Sequence, residues 1–302
     1  MDGLQPSQGL AGTAGRRIAY ATFGAHDGVP VFYLHGAIGS PLTCSPGLGD
    51  AIEALGLRLV AVQRPGFGRS DPQPGRTLAD HAHDLATVAD VLGIERFGVL
   101  GVSAGGPYAV ACAHVLGDRL TAAAAVSSLS PLCRPADVPG LPARVRVALK
   151  VLAAAPRAAT WAGDRAVALV ARHPQLLVRA MTVGAPPADR TNLADGATAR
   201  AAIAAFLEAT GGGLAGLVED HLVTSRPWGF DLADVQGEVH VWHGMHDAFV
   251  PAEHALQLAA ALPRCRVALD PGEGHFFFRR RATEVLGALV RRADLPRPLP
   301  AA

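Results

Sequence analysis

At 302 residues, half of them hydrophobic, the chain can bury a substantial core as one large α/β domain or two small ones. Its 27 basic and 26 acidic side chains leave a net charge of +1 with no long run of one sign. That excludes the electrostatic footprint of a nucleic-acid or anionic-membrane binder and makes a small molecule the expected partner.

The first residues, Met1 to Pro6, carry no basic stretch leading into an apolar segment. No run approaches the roughly 18 apolar residues of a membrane helix, so a soluble cytoplasmic protein is expected, with a homo-oligomer left open. Cys44, Cys112, Cys133 and Cys265 stand far apart without a Cys-x-x-Cys pair, as ordinary thiols of a reducing compartment do. Cys112 reads as a small core residue.

In chain order, apolar runs bounded by turn residues predict strands over residues 17–23, 30–34, 57–62, 97–102, 120–127, 239–243 and 266–269. Helices are expected over 77–92, 252–262 and 280–292, the first opened by Thr77 with Asp80 three residues on and closed by Gly93. Such alternation argues for an α/β fold with a mostly parallel central sheet covered by helices on both faces.

The alternation stops over residues 131–228, where alanine, leucine and arginine recur at helical spacing. This predicts an inserted helical cap, entered through Pro131, Pro135, Pro139 and Pro142, with Gly211-Gly212-Gly213 as a loop or hinge. The core is then 1–130 together with 229–302, and residues 294–302, with three prolines, form a loosely held tail.

Gly101-Val102-Ser103-Ala104-Gly105 follows the strand at 97–102 and opens into an alanine-rich helix. In a chain with 34 glycines such a string also arises by chance. The strand–turn–helix setting is what makes it chemical: it lifts the serine hydroxyl off the sheet and aims the first helical amides at whatever attaches to it. Ser103 reads as a nucleophile.

In open α/β sheets catalytic groups gather at the carboxyl ends of strands. Two later strand exits carry an acid and a base, Gly244-Met245-His246-Asp247 and Asp270-Pro271-Gly272-Glu273-Gly274-His275. Asp270 and Glu273 precede His275 too closely to serve as its acid. Asp247 as a helix N-cap is disfavoured by the residues up to Pro251 that separate it from the next helix.

The order Ser103, Asp247, His275 resembles the α/β-hydrolase superfamily over nearly the whole chain. The likeness rests on His35-Gly36, the Arg64-Pro65-Gly66-Phe67-Gly68-Arg69-Ser70 turn, the Ser103 elbow, Gly244-x-x-Asp247-x-x-Val250-Pro251 and Gly274-His275. It implies that His275 takes the Ser103 proton, that Asp247 orients the imidazole, and that the backbone amides of Ala37 and Ala104 bind the oxyanion. His35 would hold the oxyanion loop by a hydrogen bond, and the Arg64 to Ser70 turn would be architectural. Some members take the acid from the strand before the insertion, but Val126-Ser127-Ser128-Leu129-Ser130 has no carboxylate there. Many relatives have aspartate where this chain has Gln63, which questions a local loop contact.

The expected reaction is cleavage of a small-molecule ester, thioester or lactone, less readily an amide, through an acyl-enzyme. Cofactor-free perhydrolysis, carbon–carbon bond hydrolysis and a slow-turnover ligand receptor use the same triad and stay open. The Gly105-Gly106 step resembles proline iminopeptidases, but Ala37-Ile38-Gly39-Ser40 replaces their glycine- and proline-containing loop, so peptidase activity ranks low. No cofactor or metal is expected, since neither His243-Gly244-Met245-His246-Asp247 nor His81-Ala82-His83-Asp84 offers a convincing ligand set. The cap is expected to cover Ser103, with Trp161, Phe206, Trp228, Val250 and Phe276 as substrate contacts. Glu208, Glu219 and Asp220 read either as a site for a cationic group or as solvated helix residues.

Overall fold

Strands β3 (Val29–Leu34), β4 (Leu57–Val62), β5 (Phe97–Val102) and β6 (Leu120–Val126) are mostly apolar, interrupted by Arg58 and Thr121 near the starts of β4 and β6, because both of their faces are covered. Along β4, Leu59 and Ala61 enter one core while Val60 and Val62 enter the other, and β6 alternates in the same way through Ala122, Ala123, Ala124 and Ala125. The computed structural model describes residues 6–13, 15–37, 39–40, 46–131, 143–183 and 185–290. Pro135, Pro139, Pro142, Cys44, Cys133 and the tail 294–302 lie outside them.

With β1 (Ser7–Thr13), β2 (Arg16–Gly24), β7 (Val239–Gly244) and β8 (Cys265–Asp270), these strands form one sheet in the order β1-β2-β4-β3-β5-β6-β7-β8. Pairing from β4 through β8 is parallel, whereas β1 and β2 run antiparallel to their neighbours. Helices α2 (Leu78–Val91), α3 (Gly106–Val115) and α10 (Glu253–Ala261) pack on one face, and α1 (Pro46–Ala54) and α11 (Phe278–Leu289) on the other.

The expected capping box holds α2: Thr77 Oγ1 accepts the Asp80 amide at 3.2 Å and Asp80 Oδ2 accepts the Thr77 amide at 2.7 Å. Along the same helix His81 is buried and His83 exposed, as side chains two apart must diverge.

Between β6 and β7, six helices and no strand occur among the described residues: α4 (Ala143–Ala154), α5 (Pro156–Arg172), α6 (Gln175–Thr182), α7 (Pro187–Ala194), α8 (Gly196–Ala209) and α9 (Ala215–Thr224). The three glycines at 211–213 form the turn from α8 to α9. Two elements depart from the sequence expectation. Ser7–Thr13 is glycine-rich and polar and is a strand because it pairs in register with β2. Helix α1 begins Pro46-Gly47-Leu48-Gly49, a poor helical sequence, yet Gly47 is needed there: a Cβ on it would lie 2.0 Å from the Arg279 carbonyl oxygen of α11. Among the described residues no helix is long and apolar enough to cross a membrane.

Candidate active site

Ser103 sits at φ 55°, a left-handed conformation that costs a non-glycine residue free energy. The turn is held there by the contact of strand, helix and loop. A Cβ on Gly101 would lie 2.3 Å from the Gly105 carbonyl oxygen, and one on Gly105 would lie 2.2 Å from that of Leu34. Only glycine fits at either position, so the elbow spacing follows from how tightly β5 and α3 meet β3.

The exits of β7 and β8 bring the other two groups to this serine. His275 Nε2 stands 3.1 Å from Ser103 Oγ, and His275 Nδ1 donates to Asp247 Oδ2 at 2.7 Å. An ionised carboxylate only accepts, so the ring proton resides on Nδ1 and leaves Nε2 to accept from the serine hydroxyl. Asp247 Oδ1 accepts the Phe249 and Val250 amides, each at 2.8 Å. Burial alone would raise its pKa, but the charge and hydrogen bond of His275, with His243 and the Val250 amide, hold it well below the usual carboxylate range. Burial likewise opposes a charge on His275, yet the Asp247 charge and hydrogen bond, with Asp189 adding, keep its pKa above the ordinary imidazole value.

The His35-Gly36-Ala37 loop packs directly on the serine: a Cβ on Gly36 would be 3.4 Å from Ser103 Cβ. Arg64, fully buried, donates to the carbonyls of His35 and of Gly36, the latter at 3.1 Å, and His35 Nδ1 donates to Gly36 O at 2.8 Å. Among the described residues no peptide is cis, so fixing the Gly36 carbonyl on Arg64 turns the Ala37 amide the opposite way. Ala37 and Ala104, the latter in the first turn after the strand, both line the cavity beside Ser103.

Arg64 thus has a stronger role than turn architecture. Its Nε donates to Asp220 Oδ1 of α9 at 3.0 Å, where Arg76 Nη2 also donates at 3.0 Å and the Tyr108 hydroxyl at 2.5 Å. Asp220 is therefore neither solvated nor available to a cationic ligand. Glu208 accepts from Gln63 and Glu219 from the Gly75 amide. Gln63, in the place of the relatives' aspartate, also accepts the Arg69 amide at 2.9 Å, so it still closes its own loop.

The cavity beside Ser103 measures about 490 Å³. Val250 and Phe276 line it; Trp161, Phe206 and Trp228 do not, which corrects the expected contacts. Trp161 is 61% exposed on α5 under the Arg165 guanidinium, Phe206 packs with Leu177, Met181 and Leu193, and Trp228 lies in the core with Nε1 donating to Thr224 O. The wall that α8 supplies is made of Ala201, Ala202 and Ala205, whose small side chains leave the space open. Asp270 and Glu273 pair with Arg281 and Arg280, and it is Asp247 that His275 meets.

Two residues that sequence reasoning passed over hold the His275 backbone. Ser127, at φ 47° after β6, donates its hydroxyl to His275 O at 3.1 Å. Asp189, buried on α7, accepts the amides of His275 at 2.8 Å and Phe276 at 2.9 Å, and a Cβ on Gly274 would lie 2.3 Å from its Oδ2. Nothing in the local sequence of α7 signals this, since the contact spans 86 residues. The signal lay in Gly274, whose missing side chain makes room for a carboxylate. Among the described residues no three His, Cys, Asp or Glu side chains gather as a metal-ligating group.

Comparison with known proteins adds context. The family model described as alpha/beta hydrolase fold matches residues 29–279. A non-heme chloroperoxidase from Streptomyces lividans is 32% identical over 150 residues, 48% of this chain and 53% of the relative. A proline iminopeptidase from Neisseria gonorrhoeae is 31% identical over 130 residues, 40% of this chain and 39% of that protein. The matches thus span about half the length of these relatives or less. An alpha/beta hydrolase fold protein from Nakamurella multipartita superposes with a TM-score of 0.65 at 24% identity, covering 93% of this chain and 99% of the other.

Proposed function

The chain belongs to the alpha/beta hydrolase fold family, and from that premise we propose that it is a serine hydrolase cleaving a small-molecule ester, thioester or lactone. The observation that carries this reading is the unbroken relay from Ser103 Oγ to His275 Nε2 at 3.1 Å and from His275 Nδ1 to Asp247 at 2.7 Å, opening on an apolar cavity. His275 removes the Ser103 proton as Oγ attacks the substrate carbonyl, and the oxyanion is received by the amides of Ala37 and Ala104. Collapse expels the alcohol, which takes the proton from His275. Water, deprotonated by the same imidazole, then releases the acid and restores Ser103. Helices α4–α9 act as the lid over this chemistry, and the small side chains of α8 admit an extended acyl or alcohol group.

The likeness to a chloroperoxidase favours one variation, in which hydrogen peroxide in place of water accepts the acyl group and leaves as a peracid. Peracid formed from acetate and peroxide measures it.

A fluorophosphonate probe is expected to leave one adduct per chain, on Ser103, and none on Ser103→Ala, with p-nitrophenyl acetate turned over only by the former. Labelling without turnover makes the protein a receptor on this fold. A full rate in Ser103→Ala removes the proposal.

Asp189 acts as a positioning residue. Asp189→Ala leaves two buried amides unpaired and frees the His275 loop, so kcat is expected to fall about 10- to 100-fold. The pH at which the rate is half-maximal should move down, because a charge that raises the His275 pKa is lost. Asp189→Asn keeps one acceptor and should recover part of kcat. An unshifted pH midpoint would reduce Asp189 to a packing role.

A further inference from the structure

The cavity beside Ser103 holds a charge that the hydrolytic relay does not use. Its described walls are mostly apolar, among them Leu48, Leu129, Met181 and Phe278, and they include no aspartate or glutamate. They do include Arg279, in the first turn of α11. Its backbone is pinned by α1, since Gly47 comes so close to the Arg279 carbonyl that no side chain fits between them. Other surface arginines of the same helix are committed, Arg280 to Glu273 and Arg281 to Glu284 and Asp270. Arg279 is not: among the described residues its guanidinium makes no ion pair, and its Nη1 is buried without a hydrogen-bond acceptor.

Such an arrangement is costly. A guanidinium nitrogen withdrawn from water, as Nη1 is here, needs an acceptor to offset its lost hydration. Burial is the largest influence on Arg279 and lowers its pKa, with the charges of Tyr33 and Asp195 opposing. Asp195 does not close on it, being committed to the Thr198 amide at 2.7 Å as the N-cap of α8. On the cavity wall supplied by α9, His221 has its pKa lowered by burial and so carries no charge there, and Thr224 is neutral. Outside the relay, Arg279 is the charged group on the described wall.

We infer that the substrate of this site carries a carboxylate and that the Arg279 guanidinium binds it. The planar fork offers two parallel N–H donors to the two oxygens of a carboxylate, and the apolar walls on either side strengthen the pair by excluding water. This rests on the reading of Ser103 as the acyl acceptor and narrows it from esters in general to esters of an anionic compound. The carboxylate belongs to the far end of the acyl chain or to the leaving group, and chain length discriminates between positions.

The test uses matched pairs of esters with the whole protein. Mono-4-nitrophenyl adipate, pimelate and suberate are compared with their methyl-capped neutral counterparts, and 4-butyryloxybenzoate with its methyl ester for a charge on the leaving group. The readout is the ratio of kcat/KM for the charged and neutral member of each pair, which a partial loss of folded protein does not move. For at least one pair the ratio is expected to exceed unity by about tenfold, mainly through KM, and to fall about 10- to 100-fold in Arg279→Gln. Arg279→Lys should keep part of it. A ratio at or below one for every pair, or a ratio that Arg279→Gln leaves in place, overturns this inference while the hydrolase reading stands. Absence of turnover with all members, neutral ones included, overturns both.

Discussion

Asp247→Asn is expected to lower kcat about 10⁴-fold, equivalent to roughly 5.5 kcal/mol of transition-state stabilisation. The asparagine oxygen takes over the Phe249 and Val250 amides that Asp247 Oδ1 now accepts, which leaves its NH₂ facing His275. Two donors cannot face each other, so the imidazole adopts the tautomer with its proton on Nε2. That nitrogen then donates toward Ser103 and no longer accepts from it. The pH profile gives a second readout. His275 works as a base only when neutral, and the Asp247 charge and hydrogen bond overcome burial to hold its pKa above the ordinary value. The wild-type rate therefore rises through a pH above the usual imidazole midpoint of about 6.5. In Asp247→Asn the largest upward influence is gone, burial prevails, and the residual rate should half-rise at lower pH. Stopped-flow or steady-state hydrolysis of p-nitrophenyl acetate measures both. A loss below tenfold, or a midpoint that stays in place, would mean that another group orients the imidazole.

Asp220→Ala is expected to destabilise the fold by about 3–5 kcal/mol in urea unfolding, the range for breaking a buried ion pair by removing one partner. The variant leaves Arg64 and Arg76, both almost wholly buried, and the Tyr108 hydroxyl without their shared acceptor. Burial alone would raise the Asp220 pKa, yet Arg64, Arg76 and Tyr108 hold it below the ordinary carboxylate value. A depressed folded-state pKa stabilises the protein above the unfolded value of about 3.9, and that contribution is lost as pH falls from there through the folded value. The wild-type chain should accordingly lose stability on the acid side with a slope that Asp220→Asn lacks. Activity should suffer as well, because Arg64 also fixes the carbonyls of His35 and Gly36 in the loop proposed to bind the oxyanion. An unaltered unfolding midpoint in Asp220→Ala would show that water replaces the carboxylate at no cost.

What was legible in the chain is what is written locally. Runs such as residues 59–62 and Phe97–Val102 declare buried parallel strands by apolar residues on both faces, and the Thr77–Asp80 box states where α2 starts. Ser103, Asp247 and His275 were readable because each stands just after a strand, in a turn whose glycines have a steric reason. The expected aromatic contacts from the insertion were not. Large aromatics such as Trp161 and Trp228 draw attention as ligand platforms, but one is stacked under an arginine at the surface and the other fills the core. The wall is built instead from Ala201, Ala202 and Ala205, residues whose contribution is the volume they do not occupy. Strand β1 and helix α1 run against their own propensities and exist through pairing and packing with distant segments, which no local reading reports.

Asp189 and Asp220 both come from the helices between β6 and β7, and both reach residues of the sheet's loops, one the His275 amide and one Arg64. Recombination is constrained by that. A chimera that exchanges 131–228 for the corresponding segment of another protein takes away the support of both the proposed base and the loop proposed to bind the oxyanion, so it is expected to lose rate along with any change of specificity. Transplants that keep aspartates at these two places, or that alter only the alanines of α8, escape the coupling. Breeding new specificities from this scaffold is therefore a matter of point substitutions within the insertion before it is one of exchanging the insertion.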